Sequence, residues 1–186
     1  MAFRLNCKWG EDPIRKALCS SDTFLAMNTK SKYIPEGFHA VTPYLTVKNP
    51  KEAIAFYKRA FGARERMLMP MPDGQIAHAE IQIADSIIML GCECPDHGGV
   101  SPQTLGGSPV SLALYVENVD DVFKRAVSAG ATSKEPVENK FWGDRAGSLT
   151  DPFGHKWMLL THVEDVPPDE MKKRMAQAFS MASAKS

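Results

Sequence analysis

Residues 78–83 read HAEIQI and place His78, Glu80 and Gln82 at alternate positions. Alternate positions of a β-strand share one face, so an imidazole, a carboxylate and an amide would line up along one surface. A core does not require such a strip, because burying an unpaired polar group is costly. The chemistry open to it is hydrogen bonding to a ligand, proton transfer by a His/Glu pair, or metal binding. His78 is equally compatible with a satisfied structural histidine. The two side chains stand roughly 6.5 Å apart along the strand, and one ion would need further ligands. His39, His155 and His162 fall in a turn or near strand ends, which leaves no obvious third ligand.

A second chemical stretch is FWGDRAG, residues 141–147. The forked guanidinium of Arg145 suits an anion or carbonyl anchor beneath an aromatic lid supplied by Trp142. The competing reading is an ion pair of Arg145 with Asp144 or Glu80. Alternation counted from Met158 back through the intervening turn points Arg145 and Gly147 inward. The run Cys92-Glu-Cys94-Pro-Asp-His97 suggests a metal knuckle, but a zinc site takes about four ligands at recognised spacing. With Cys7 and Cys19, these cysteines read as free thiols of a reducing compartment.

The bulk composition narrows the function classes. Lys+Arg and Asp+Glu are both 22, so no net field recruits nucleic acid or an anionic membrane surface. No apolar run approaches the roughly 20 residues that span a bilayer. The start of the chain lacks an apolar signal-peptide segment, and Glu11 and Asp12 interrupt it. A cytoplasmic protein without nucleic-acid or membrane partners is expected. Residues 1–32 show no periodicity and read as a disordered extension, of which 1–26 fit an early start-codon assignment.

An internal repeat organises the remainder. YLTVKNPKEAIAFYKRAFGA (44–63) and ALYVENVDDVFKRAVSAGA (113–131) align with Leu45 on Leu114, Val47 on Val116 and Asn49 on Asn118. Each copy is a strand followed by a helix. Asn49 is an N-cap, Pro50 fits the first helical position, and Gly62 ends the first helix. Ala53, Ile54, Tyr57, Ala60 and Phe61 form its apolar stripe. Asn118 caps the second helix, Val119, Val122, Phe123 and Ala126 face the core, and Gly130 stops it. Alternating segments follow each helix, at 79–83 and 86–90 around Ala84-Asp85, and at 146–150 and 156–160 around Asp-Pro-Phe-Gly. With one further strand after each helix, the unit is β-α-β-β-β twice, an α+β fold. Module one spans 33–93, a Gly/Pro-rich joint 94–109, and module two 110–166. Residues 167–186 form a helix with a Met171, Met175, Phe179 stripe, then a tail.

Two βαβββ units, a Phe-Tyr near the end of the first helix and an Asp-Pro-x-Gly turn before the last strand resemble the vicinal oxygen chelate superfamily of glyoxalase, bleomycin-resistance and extradiol-dioxygenase relatives. TPYLTV, AIAFYKRAFGA, IAHAEIQI, FWGDRAG and DPFGHKW are together similar to its PhnB-like branch. The resemblance implies tandem βαβββ modules forming an open eight-stranded cup with the helices outside. It also implies a metal held by His or Glu on the first and last strand of each module. Those positions fall on Thr42 and Ser111, and on Met89 and Met158, and both pairs obey the repeat spacing. Hydroxyl and thioether pairs do not make a hard-cation site, so no metal and no cofactor is expected.

Alternation joins Tyr44 and the strip His78, Glu80, Gln82 to Thr42 and Met89 inside the cup. Ser111, Trp142, Arg145 and Met158 line the second module, the methionines as adaptable apolar walls. The reading that follows is a metal-free, PhnB-like protein binding a small organic molecule, as a homodimer by family default. A lyase-, isomerase- or dioxygenase-type enzyme with a displaced metal or His78/Glu80 acid–base chemistry stays open beside it. So does a structural module whose cup is filled by its own side chains.

Overall fold

The computed structural model describes residues 31–183. The extension expected at the amino terminus lies outside the described residues except for its last two, and Cys7 and Cys19 fall outside with it. Module one comprises β1 (Tyr44–Val47), α1 (Pro50–Phe61), β2 (Arg64–Pro70), β3 (Ile76–Ile83) and β4 (Ser86–Cys92). A 3-10 turn (Pro95–His97) and the short helix α2 (Pro102–Leu105) occupy the joint. Module two repeats the pattern with β5 (Ser111–Tyr115), α3 (Val119–Ser128), β6 (Thr132–Asn139), β7 (Asp144–Thr150) and β8 (Lys156–His162), and α4 (Pro168–Ser183) follows. No helix among the described residues is long and apolar enough to cross a membrane.

The local signals work as their chemistry dictates. Asn49 Oδ1 accepts from the Glu52 amide at 3.3 Å, and Asn118 Oδ1 from the Asp121 amide at 3.2 Å. Gly62 ends α1 with φ +70°, a conformation that costs glycine nothing. The β3–β4 hairpin turns on Ala84, whose φ of +51° is paid for by a two-residue connection that matches strand twist.

Each helix carries the chain across its sheet, so the first strand of a module runs parallel to its last. The sheets have the orders β1-β4-β3-β2 and β5-β8-β7-β6 and are not hydrogen-bonded to each other or closed into a barrel. This is an α+β architecture of two four-stranded mixed sheets. The registers repeat as the sequence does: Tyr44 pairs with Met89, and Ala113, 69 residues on, pairs with Met158. The outer strands β2 and β6 are exposed nearly throughout. β6 contains Pro136 and two register shifts between Ser133 and Glu138.

One core joins the modules. Phe56, Tyr57 and Phe61 of α1 pack on Phe153 and Trp157 of the second module, with Phe61 and Trp157 ring centroids 4.7 Å apart. At its centre is Asp151, 4 % exposed. Its Oδ2 accepts from the Tyr57 hydroxyl at 2.8 Å and Trp157 Nε1 at 2.9 Å. Its Oδ1 accepts from the amides of Phe153 and His155, both at 2.9 Å. Burial and this carboxylate push the Tyr57 hydroxyl pKa well above its usual value. Arg125 of α3 adds a bond from Nε to the Ala60 carbonyl at 2.8 Å.

Thr42 departs from expectation. It lies in the loop before β1, its hydroxyl donating to the His39 carbonyl at 2.9 Å. Pro43 has no N–H, and the ladder opens with its carbonyl accepting from the Met89 amide at 3.0 Å. The carboxy-terminal stripe also stays in part uncovered, with Met175 and Phe179 exposed. Arg174 fixes α4 through two bonds to Glu164 and one to Glu170.

Asp151→Ala strands four donors and is expected to cost about 4 kcal/mol, whereas Tyr57→Phe, which leaves three of them satisfied, is expected to cost about 1.5 kcal/mol. Urea denaturation of the two variants measures both, and equal losses would show that the carboxylate is not the organising group.

Candidate functional site

The face of the first sheet turned away from α1 carries the polar strip. Strand register builds two rows across it. One row is Tyr44, Met89, Glu80 and Met67, and the next brings Thr46 against Gly91 and His78 against Met69. Leu45 and Val47, at the intervening positions, are buried in the core. Sequence alternation therefore placed Tyr44, His78, Glu80 and Met89 on one surface, and the fold brings all four together.

Tyr44 is the centre of this patch. Its ring tilts over His78 with centroids 5.6 Å apart, and its hydroxyl lies 3.3 Å from His78 Nδ1. The hydroxyl donates when Nδ1 is unprotonated. His78 Nε2 stands 3.9 Å from Glu80 Oε1, so phenol, imidazole and carboxylate follow one another across the sheet. Burial, and secondly Cys92, raise the Tyr44 hydroxyl pKa, which keeps it a donor at neutral pH. Gly91 makes room for this arrangement. A Cβ there would lie 2.5 Å from the Tyr44 hydroxyl and 2.8 Å from the Ala77 carbonyl oxygen. Met67 and Met69 are partly exposed beside the strip. Gln82 shares the face, but its amide nitrogen donates to the Ala84 carbonyl at 3.1 Å and so secures the hairpin.

The second sheet arranges its groups differently. Ser111 and Met158 lie exposed on the face away from α3. Arg145 does not join them. Ser148 pairs with Met158 and Arg145 with Thr161, so the even-numbered β7 residues share the Met158 face and Arg145 points to the helix side. There its Nε and a terminal nitrogen each bond Asp120 of α3 at 2.7 Å, and its other terminal nitrogen reaches Asn139 at 3.2 Å. This is the forked pairing that guanidinium and carboxylate favour, with a different acid from either expected partner. Gly147 likewise lies on the helix side and not on the Met158 face expected for it, against Phe123 and Val137.

Trp142 is likewise engaged. Its Nε1 donates to Asp144 Oδ2 at 2.9 Å. Asp144, 5 % exposed, also accepts from the Tyr115 hydroxyl at 3.2 Å and contacts His162 Nδ1 at 2.8 Å. Sequence reading missed this network. Its signal lay in the register, which sets Asp144 opposite His162 at the end of the β7–β8 ladder. Asp144, then Asp165 at 3.0 Å from Nε2, raise the His162 pKa above its ordinary 6.5.

The residues at the expected metal positions do not fit an ion. The Thr42 hydroxyl is committed to a backbone carbonyl, Ser111 offers one neutral oxygen, and Met89 and Met158 offer thioether sulfur, which prefers soft ions. Among the described residues, no three His, Cys, Asp or Glu side chains converge on a possible metal position.

Tandem βαβββ modules with a polar strip on an open sheet face define a glyoxalase-type fold. Residues 37–159 match the Glyoxalase/Bleomycin resistance protein/Dioxygenase superfamily, and the chain belongs to it. It is 41 % identical over 140 residues to protein Rv0887c of Mycobacterium tuberculosis, covering 74 % of this chain and 82 % of that one. The crystal structure of the Arabidopsis thaliana At5g48480 product is 30 % identical, with a TM-score of 0.53 over 66 % of this chain and 98 % of that one. A PhnB protein from Bacillus cereus shares the fold at 19 % identity and a TM-score of 0.53, over 66 % of this chain and 99 % of that one.

Because the His162 pKa is raised in the folded state, its stabilisation is complete below the unfolded value and is lost as pH rises through the folded value. An NMR titration is expected to place His162 above 6.5 in the native chain and to bring it down toward 6.5 in Asp144→Asn. An unchanged midpoint in that variant would exclude Asp144 as the main cause.

Proposed function

We propose that this chain binds a small organic molecule on the open face of its first sheet, without the metal that the superfamily's enzymes use. The observation that carries this is the Tyr44–His78–Glu80 succession, flanked by Met67, Met69 and Met89. A ligand site needs apolar walls with a few oriented polar groups. Unbranched thioether side chains supply walls that adapt to flat or irregular shapes. The phenol, imidazole and carboxylate supply donors and an acceptor within a few ångströms of one another. The PhnB-like reading agrees with the fold shared with the Bacillus cereus protein.

A homodimer belongs to the same proposal. Tyr44 is 53 % exposed and Tyr115 57 % exposed in the single chain, and a second copy over these faces would desolvate both aromatic rings and enclose the ligand.

The 3.9 Å approach of His78 to Glu80 favours one alternative, proton transfer next to a carbonyl. Solvent deuterium exchange into a 2-oxo acid, abolished by Glu80→Gln, would establish it.

A thermal-shift screen of aromatic drugs, 2-oxo acids and phosphonates is expected to yield a ligand that raises the melting temperature by mass action. Tyr44→Phe and His78→Ala are each expected to weaken that ligand about 10-fold, the loss of roughly one hydrogen bond to a polar ligand group. Metal analysis after incubation with Mn(II), Ni(II) or Zn(II) is expected to find no stoichiometric ion, in the native chain or in Met158→Glu. Stoichiometric metal lost in His78→Ala would overturn the metal-free reading.

A further inference from the structure

A buried histidine outside the open-face patch marks another site. His155 follows the Asp-Pro-Phe-Gly turn and is 8 % exposed. Its Nε2 lies 3.2 Å from the Thr46 carbonyl oxygen on the free margin of β1. A carbonyl only accepts, so Nε2 carries the proton and Nδ1 of the neutral ring is a bare acceptor. Nδ1 has no partner among the described residues. No fully buried side-chain nitrogen or oxygen among them is left unpaired, so Nδ1 keeps some accessible surface, and His155 lines a cavity.

That cavity measures about 300 Å³ and lies between β1, the joint and β5. Leu45, Val100, Leu105, Val110 and Leu112 make most of its wall apolar. It is held open by the joint. Ser101, fully buried, donates to the Glu93 carboxylate, and Thr104 donates to the same carboxylate at 3.0 Å. Gln103 Nε2 donates to the Pro152 carbonyl at 2.9 Å, and Pro102 packs so closely on Gly154 that a Cβ there would stand 2.9 Å away. The joint is thereby fastened to both modules with the crevice beneath it.

We infer that this crevice is a second binding site, for a small neutral molecule that is mostly apolar and carries one O–H or N–H donor, a phenol being the simplest example. The volume admits a single ring with a short substituent, at the lower end of ligand pockets. The apolar wall selects against charge, since an unpaired ion would be desolvated there. An unpartnered imidazole acceptor selects for a donor, because a site built around a hydrogen bond rejects an analogue that lacks it. Burial lowers the His155 pKa against the opposing effects of Asp151 and the Thr46 carbonyl, which keeps the acceptor bare at neutral pH. The crevice shares Tyr44 with the His78 patch but is not lined by His78 or Glu80.

The test compares phenol with anisole, its methyl ether, by nitrogen-15 NMR of the histidine side chains of the full chain. Phenol is expected to move the His155 Nδ1 resonance and to bind at least 5-fold more tightly than anisole. Leu105→Trp, at an exposed position of the crevice wall, is expected to fill it and abolish the binding of both. His155→Phe is expected to bring the phenol-to-anisole ratio to about one. Equal affinities in the native chain, a stationary Nδ1 resonance, or phenol binding that survives Leu105→Trp would each overturn the inference.

Discussion

Four hydrogen bonds converge on the Asp151 carboxylate, three shaping the second module's last hairpin and the fourth, from Tyr57, tying that hairpin to the first module. The two sheets share no strand pairing, so the modules are joined through packing and side chains. Tyr57 comes from the first module's helix, while Phe153, His155 and Trp157 belong to the second module's last hairpin. A buried carboxylate with every donor in place is stable, and one with a donor removed is costly. The Asp-Pro-Phe-Gly turn is therefore a joint between modules as much as a hairpin turn. It also delivers His155 to the free margin of β1, which brings the crevice into being.

Most of the fold was legible because its signals are local and repeated. Asn49 and Asn118 announce two helices at equivalent positions, and the strands around Ala84-Asp85 and Asp-Pro-Phe-Gly alternate clearly. The site was legible where one strand determined it: His78 and Glu80 share a face in any register. It was not legible where two strands had to be set against each other. Arg145 faces α3 because Ser148, an even-numbered neighbour, sits opposite Met158, and a one-residue difference in register reverses every side chain. Thr42 was misplaced because the pleat was extended through Pro43 into what is a loop. Gly91 gave no sequence signal at all; its importance comes from a tyrosine on the neighbouring strand whose ring needs the space.

The repeat preserves geometry while the chemistry diverges. Tyr44–Met89 and Ala113–Met158 are equivalent pairs in the two sheets, and both place a thioether at the position expected, from the superfamily resemblance, to carry a metal-binding carboxylate. Around that shared position the modules have gone separate ways. The first leaves phenol, imidazole and carboxylate beside an open face. The second turns its polar groups on one another, with Trp142, Tyr115 and His162 gathered by Asp144 and Arg145 held by Asp120. The first sheet is thus left with functional groups to offer, and the second is largely self-satisfied.

The outer strand β6 has a consequence for how copies of this chain can meet. Pro136 leaves β6 one backbone donor short, its register is broken twice, and Lys134 and Glu135 add charge to it. Such a strand cannot template a passing strand of another molecule. On that side the second sheet is therefore protected against sideways growth into fibrous polymers.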